Sequence, residues 1–143
     1  MNEFVECPTE GTIGLLTLLI KSGRLAESRI DDALNSADLT FVKWRALDAL
    51  IKLDAPTTPT FLADKLHCVK SNVTQLVDKL ESDGIVRRLP ASQDRRSMLV
   101  ELTEQGKQLH KIGRDALESA TRELFAHFDD QSKSSFRELL NLI

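Results

Sequence analysis

Residues 59–106, PTFLADKLHCVKSNVTQLVDKLESDGIVRRLPASQDRRSMLVELTEQG, restrict the fold more than any other stretch of this 143-residue chain. Apolar residues recur at Phe61, Leu62 and Leu66, then at Val73, Leu76, Val77 and Leu80. That spacing gives each of two successive helices one buried face. His67, Cys68 and Val69 join the helices in too few residues for anything but a sharp turn. Gly84 can stop the second helix in a left-handed conformation. Beyond it, residues 85–89 and 98–102 read as two short strands rich in β-branched and apolar side chains. The loop between them carries Arg95 and Arg96.

The face of the second helix turned away from its apolar stripe holds Lys70, Ser71, Asn72, Thr74, Gln75, Asp78 and Lys79. Several of these side chains can bond base edges or phosphates in a major groove: Asn72 and Gln75 suit adenine, and Lys70 suits phosphate or guanine. A ribbon tip bearing arginine can enter the minor groove, whose negative potential attracts it. Arg96 is placed as that finger, Asp94 as the carboxylate that holds it, and Arg95 with Arg87 or Arg88 as phosphate contacts. Strand alternation puts Arg87 and Arg88 on opposite faces, so at most one of them faces the duplex, and Arg87 is the one favoured. The whole reads as a winged helix-turn-helix. Its competing reading is a solvated helix beside a solvated hairpin tip.

Charge supports a local rather than a global contact. The chain has a net charge of -3. Residues 1–55 hold six basic and nine acidic side chains, 104–143 six and seven, and 56–103 seven and six. The excess of positive charge is thus confined to the middle third, where Arg87, Arg88, Arg95 and Arg96 gather around the ribbon.

The strings LADKL at 62–66, VTQLVDKLE at 73–81, GIVRR at 84–88, DRR at 94–96 and LTEQG at 102–106, with LTFVKWRAL at 39–47 upstream, resemble the MarR family of transcription regulators. They occur together and in order over nearly the whole chain. The resemblance implies a mainly α fold with a small β wing, flanked by N- and C-terminal dimerisation helices. It implies a homodimeric repressor of a pseudo-palindromic operator, released by a small-molecule effector or by oxidation. Two positions depart from the family pattern. His67 stands where glycine is frequent, and histidine tolerates positive φ better than most residues. Val69 stands where a small polar residue often opens the recognition helix, so an easy N-cap is lost.

Around residues 39–103, the DNA-binding region, long apolar patterns fill both ends. From 10 to 37 a helix is expected through Ile13, Leu16, Leu19, Ile20, Ala26, Ile30, Ala33 and Leu34, with Gly23 as a weak point. Thr40 should cap a helix with Phe41, Trp44, Leu47, Leu50 and Ile51 inward, and Thr58 should cap another with Pro59 at its first position. Thr103 should cap a helix through Leu109, Ile112, Ala116, Leu117, Ala120 and Leu124 to about residue 128. A break at 129–132 and a last helix over 134–143 follow. Residues 10–37 and 104–143 are the expected dimerisation helices. Trp44 is either a core residue or the wall of an effector pocket.

Cys7 and Cys68 lack a CxxC partner and do not form a secreted disulfide framework. Cys68 precedes a helix N-terminus, which would stabilise a thiolate, yet it also fits a small buried apolar position. Cys7 sits in the N-terminal arm, near the reactive cysteine of peroxide sensors that the resemblance brings to mind, but the chain has no tyrosine. Both remain redox candidates. His67, His110 and His127 fall in different elements and form no metal set, and no cofactor is expected. The longest apolar run, 13–20, is too short to span a bilayer, and the start of the chain lacks a leader pattern, so a cytoplasmic protein is expected. No G-x-S-x-G, phosphate loop, GxGxxG or H-E-x-x-H marks an enzyme. The alternative to a DNA-binding regulator is a winged helix that binds only other proteins.

Overall fold

Threonine side chains set three of the helix starts, each by accepting a backbone N–H that the first helical turn leaves without a partner. The computed structural model describes residues 10–91 and 98–143. Cys7, Asp94, Arg95 and Arg96 lie outside the described residues. Among these, the order is α1 (Gly11–Asn35), α2 (Phe41–Leu53), α3 (Pro59–Leu66), α4 (Lys70–Ser82), β1 (Val86–Pro90), β2 (Met98–Leu102), α5 (Glu104–Leu124) and α6 (Asp130–Leu140). Thr40 accepts from Lys43 N–H at 3.3 Å, Thr58 from Phe61 N–H at 3.2 Å and Thr103 from Gly106 N–H at 3.1 Å. Pro59 fills the first position of α3. The fold is mostly helical with a small antiparallel wing, as the sequence predicts.

The turn between α3 and α4 survives without glycine. His67 takes φ 54 and ψ 40, the left-handed conformation that closes α3. Val69 then opens α4 with no side-chain cap. Gly84, at φ 72, ends the following turn, and the chain enters β1.

The strands pair antiparallel, with Arg87 opposite Glu101 and Pro90 opposite Met98. β1 starts one residue later than expected, because Ile85 N–H is still committed to the Leu80 carbonyl at 2.9 Å. A third segment joins the wing unannounced: Thr57 in the α2–α3 connector exchanges two hydrogen bonds with Val100, at 3.0 and 2.7 Å. α6 also begins earlier than expected. Asp129 accepts from Ser132 N–H at 2.7 Å, so residues read as a break instead form a cap and a first turn. Gly23 does not interrupt α1.

The core gathers Leu47 and Leu50 of α2, Leu62 and Leu66 of α3, Val73, Val77 and Leu80 of α4, and Val86 and Val100 of the wing. Two residues expected on buried stripes are exposed. Phe61 lies outside under the Lys65 ammonium, 5.3 Å from its ring centre. Ile112 is also outside, because the inward face of α5 is Gly106, His110, Gly113 and Leu117.

Those two glycines bring the long helix close to the head. A Cβ on Gly106 would lie 2.2 Å from the Ile85 carbonyl oxygen, and one on Gly113 would lie 2.5 Å from Cδ1 of Trp44. The Thr103 hydroxyl donates to the Gly84 carbonyl at 2.7 Å and so ties the start of α5 to the α4–β1 turn. Farther along, the Trp44 indole stacks on His110 with ring centres 5.5 Å apart and donates Nε1–H to the His110 carbonyl at 3.3 Å. Trp44 is therefore a packing residue.

His110, only 5% exposed, places Nε2 3.1 Å from Asp48 Oδ1, while Lys52 Nζ lies 2.6 Å from Oδ2. Burial pushes the Asp48 carboxyl up, but the bonds from Lys52 and His110 outweigh it and hold the group below its ordinary value. An ionised carboxylate only accepts, so the shared proton sits on Nε2. A lowered carboxyl stabilises the fold above the unfolded-state value of 3.8, and that stability is lost as pH falls through the lower folded value. Urea unfolding across pH should therefore show Asp48→Asn less stable than the parent at neutral pH by about 1–3 kcal/mol, with the difference shrinking in acid. An undiminished difference at low pH would remove the ionised Asp48 from the account.

Candidate nucleic-acid interface

α4 buries Val73, Val77 and Leu80 against the head and keeps its opposite face in solvent. Lys70, Ser71, Asn72, Thr74 and Gln75 are all exposed there, within the first two turns of the helix. Their shared side follows from the 3.6-residue period. The Thr74 hydroxyl donates to the Lys70 carbonyl at 3.1 Å, which leaves its lone pairs free to accept. Val69 supplies no side-chain cap, and its carbonyl takes the Asn72 and Val73 N–H groups at 3.0 and 3.3 Å, so no side chain covers the positive end of the helix dipole. Hydrogen-bonding side chains and a positive helix end thus share one exposed surface.

The wing stands beside this surface. Arg87 is exposed and paired across the ribbon with Glu101, its register partner. Arg88 is on the other face, as strand alternation requires, and lies half-buried against α4. Its Nη1 donates to Glu81 Oε2 at 2.6 Å and its Nη2 donates to Asp78 Oδ1. A phosphate contact by Arg88 was one of the readings the sequence allowed, but both Nη groups are committed to carboxylates of α4. The signal was present in the sequence as Asp78 and Glu81, three residues apart on one helical face. Nothing local indicated that a strand residue would reach them.

Cys68 is half-buried in the α3–α4 turn, its Sγ 3.5 Å from the Leu66 carbonyl. The Arg45 guanidinium also reaches that carbonyl, at 3.4 Å. Among the described residues no group of three or more metal-ligating side chains gathers. No helix among them is long and apolar enough to cross a membrane.

Away from the wing, α1 exposes a dense apolar surface. Ile13 and Leu15 are each 67% exposed, and Leu16, Leu18, Leu19 and Ile20 join them. α6 and the residues after it add Leu139, Leu140, Leu142 and Ile143. An open cleft of ≈ 820 Å³ lies between α5 and α6, with Phe125, Phe128 and Phe136 in its walls.

Residues 39–98 match the sequence profile of the MarR family. The multiple antibiotic resistance protein MarR of Escherichia coli (strain K12) is 30% identical over 129 residues, covering 82% of this chain and 89% of that protein. The homoprotocatechuate degradative operon repressor of Escherichia coli is 25% identical over 127 residues, covering 88% of this chain and 84% of the relative. Among solved structures, a mutant MarR from E. coli complexed with operator DNA superposes with a TM-score of 0.80 at 24% identity, covering 89% of this chain and 91% of that one.

The open start of α4 makes one quantitative claim. Val69→Ser would supply the missing acceptor and should raise stability by about 0.5–1 kcal/mol, read as an upward shift of the thermal midpoint. No shift would mean that the Val69 carbonyl, which already accepts from Asn72 N–H at 3.0 Å, serves that group as well as a hydroxyl would.

Proposed function

This chain belongs to the MarR family of transcription regulators, and we propose that it is a repressor that binds a pseudo-palindromic duplex as a homodimer. α4 reads the major groove through Lys70, Ser71, Asn72, Thr74 and Gln75. The wing tip enters the minor groove with Arg96, held by Asp94, while Arg87 and Arg95 meet phosphates. The observation that carries this reading is the exposed, polar first half of α4 beside a two-stranded wing. It is supported by the relatives, one named as an operon repressor and one solved with operator DNA.

The second copy is supported by the apolar surface of α1 and α6. Apolar residues exposed in such number on one helix are normally covered. Two-fold pairing through these helices would set two copies of α4 to face half-sites about one helical turn, roughly 10 bp, apart. A small ligand or oxidation at Cys7 or Cys68 would relieve repression by changing the separation of the two heads. The protein would act in the cytoplasm.

The test is selection of duplex fragments by the purified protein at near-physiological salt, with and without peroxide. An enriched pseudo-palindrome is expected, and affinity for it should fall log-linearly with salt as counterions are released. Arg96→Ala should weaken that binding by about 1–3 kcal/mol with the dimer intact. Absence of any enriched sequence would instead favour a winged helix that binds protein.

A further inference from the structure

The base of the wing is seated on the head by the buried Val86 and Val100, and the turn at 83–85 joins it to α4. Arg88 adds a side-chain bridge from the wing to α4. It is the third residue of β1, and its guanidinium crosses back to α4, where Glu81 and Asp78 accept from Nη1 and Nη2 respectively. Asp78 and Glu81 are three residues apart and so lie on one side of the helix. The planar fork of arginine matches two oxygens held in this way, and a lysine ammonium does not. The Arg88 side chain is 24% exposed, against 57% for Asp78. The cation is thus sheltered between the elements and does not project toward a ligand.

The same contact has an electrostatic consequence. Asp78 is exposed on the helix that carries Lys70 to Gln75, and Glu81 lies one turn farther along. Two uncompensated carboxylates there would repel a phosphate backbone. Arg88 offsets part of that charge from within the protein.

We infer that Arg88 is a positioning residue for duplex reading: by clamping Asp78 and Glu81 it fixes the wing against α4, so that helix and wing tip meet their two grooves together. This rests on the reading of the chain as a sequence-specific duplex binder. Arg88 acts on sequence preference through geometry and makes no contact with the duplex.

The experiment uses the full chain and two probes: the duplex most enriched by the parent from a random library, and an unselected random-sequence pool of the same length. The ratio of the two affinities measures preference, and thermal unfolding and sedimentation report fold and assembly. Arg88→Lys keeps the charge but loses the fork, and should lower the ratio by at least about fivefold while leaving affinity for the random pool nearly unchanged. The double variant Asp78→Asn with Glu81→Gln removes two negative charges and frees Arg88. It should bind the random pool more tightly and still show a reduced ratio. If Arg88 contacted the duplex directly, freeing it would raise affinity for the selected duplex at an equal or higher ratio, and the inference would be overturned. Equal ratios for parent, Arg88→Lys and the double variant would also overturn it. A parent that does not distinguish the two probes would overturn the regulator reading itself, and this inference with it.

Discussion

The close approach of α5 to the α4–β1 turn is the constraint on which the rest of the structure depends. Gly106 has no Cβ, and any side chain there would collide with the Ile85 carbonyl. The Thr103 hydroxyl accepts from Gly106 N–H and donates to the Gly84 carbonyl, with the Ile85 carbonyl also in reach at 3.0 Å. One helical turn of α5 is thereby seated on the point where the recognition helix becomes the wing. Two turns later Gly113 admits Trp44, whose indole lies flat on His110. With both ends of this contact close-packed, α5 and the head have little freedom to slide, since packed interiors shift between discrete arrangements rather than deform continuously. In the proposed dimer, a displacement of α5 would therefore carry the reading head with it.

Electrostatics are divided differently from what a count of arginines suggests. The sequence carries four arginines between residues 87 and 96, but Arg87 is paired with Glu101, and Arg88 with Asp78 and Glu81. Arg87 is exposed, and an exposed pair is weak enough to exchange its partner for a phosphate. Arg88 is sheltered and doubly bonded, and giving up two carboxylates would leave them facing each other without compensation. In the proposed complex the attraction to a duplex would then fall to Arg95 and Arg96, to Lys70 and to the start of α4. An acidic body bearing a narrow basic edge would orient on DNA, where a uniformly basic one would coat it.

The apolar surface of α1 has no covering partner among the described residues. α1 packs on α5 and buries Gly14 and Leu34, yet most of its leucines and isoleucines face solvent. A helix this apolar costs free energy wherever water touches it. The structure thus has two characters: a head whose core is closed by its own elements, and terminal helices whose apolar faces the described residues leave open.

Most of the fold was legible in the sequence because it depends on interactions that span four residues or fewer. Apolar spacing located the helices, Thr40, Thr58, Pro59 and Thr103 marked their starts, and His67 and Gly84 provided the left-handed turns. The exposed set on α4 followed from the same period, since burying Val73, Val77 and Leu80 leaves the opposite residues in water. Only the tertiary structure decided the pairings between distant segments: His110 with Asp48, Thr57 with Val100, and Arg88 with Asp78 and Glu81. It likewise placed Ile112 and Phe61 outside, because the stripe a helix buries is chosen by what packs on it. On α5 that choice fell to Trp44 and the Ile85 carbonyl, which needed two glycines and left the larger side chain to solvent. Periodicity fixes which residues share a face, and the partner across the contact fixes which face is buried.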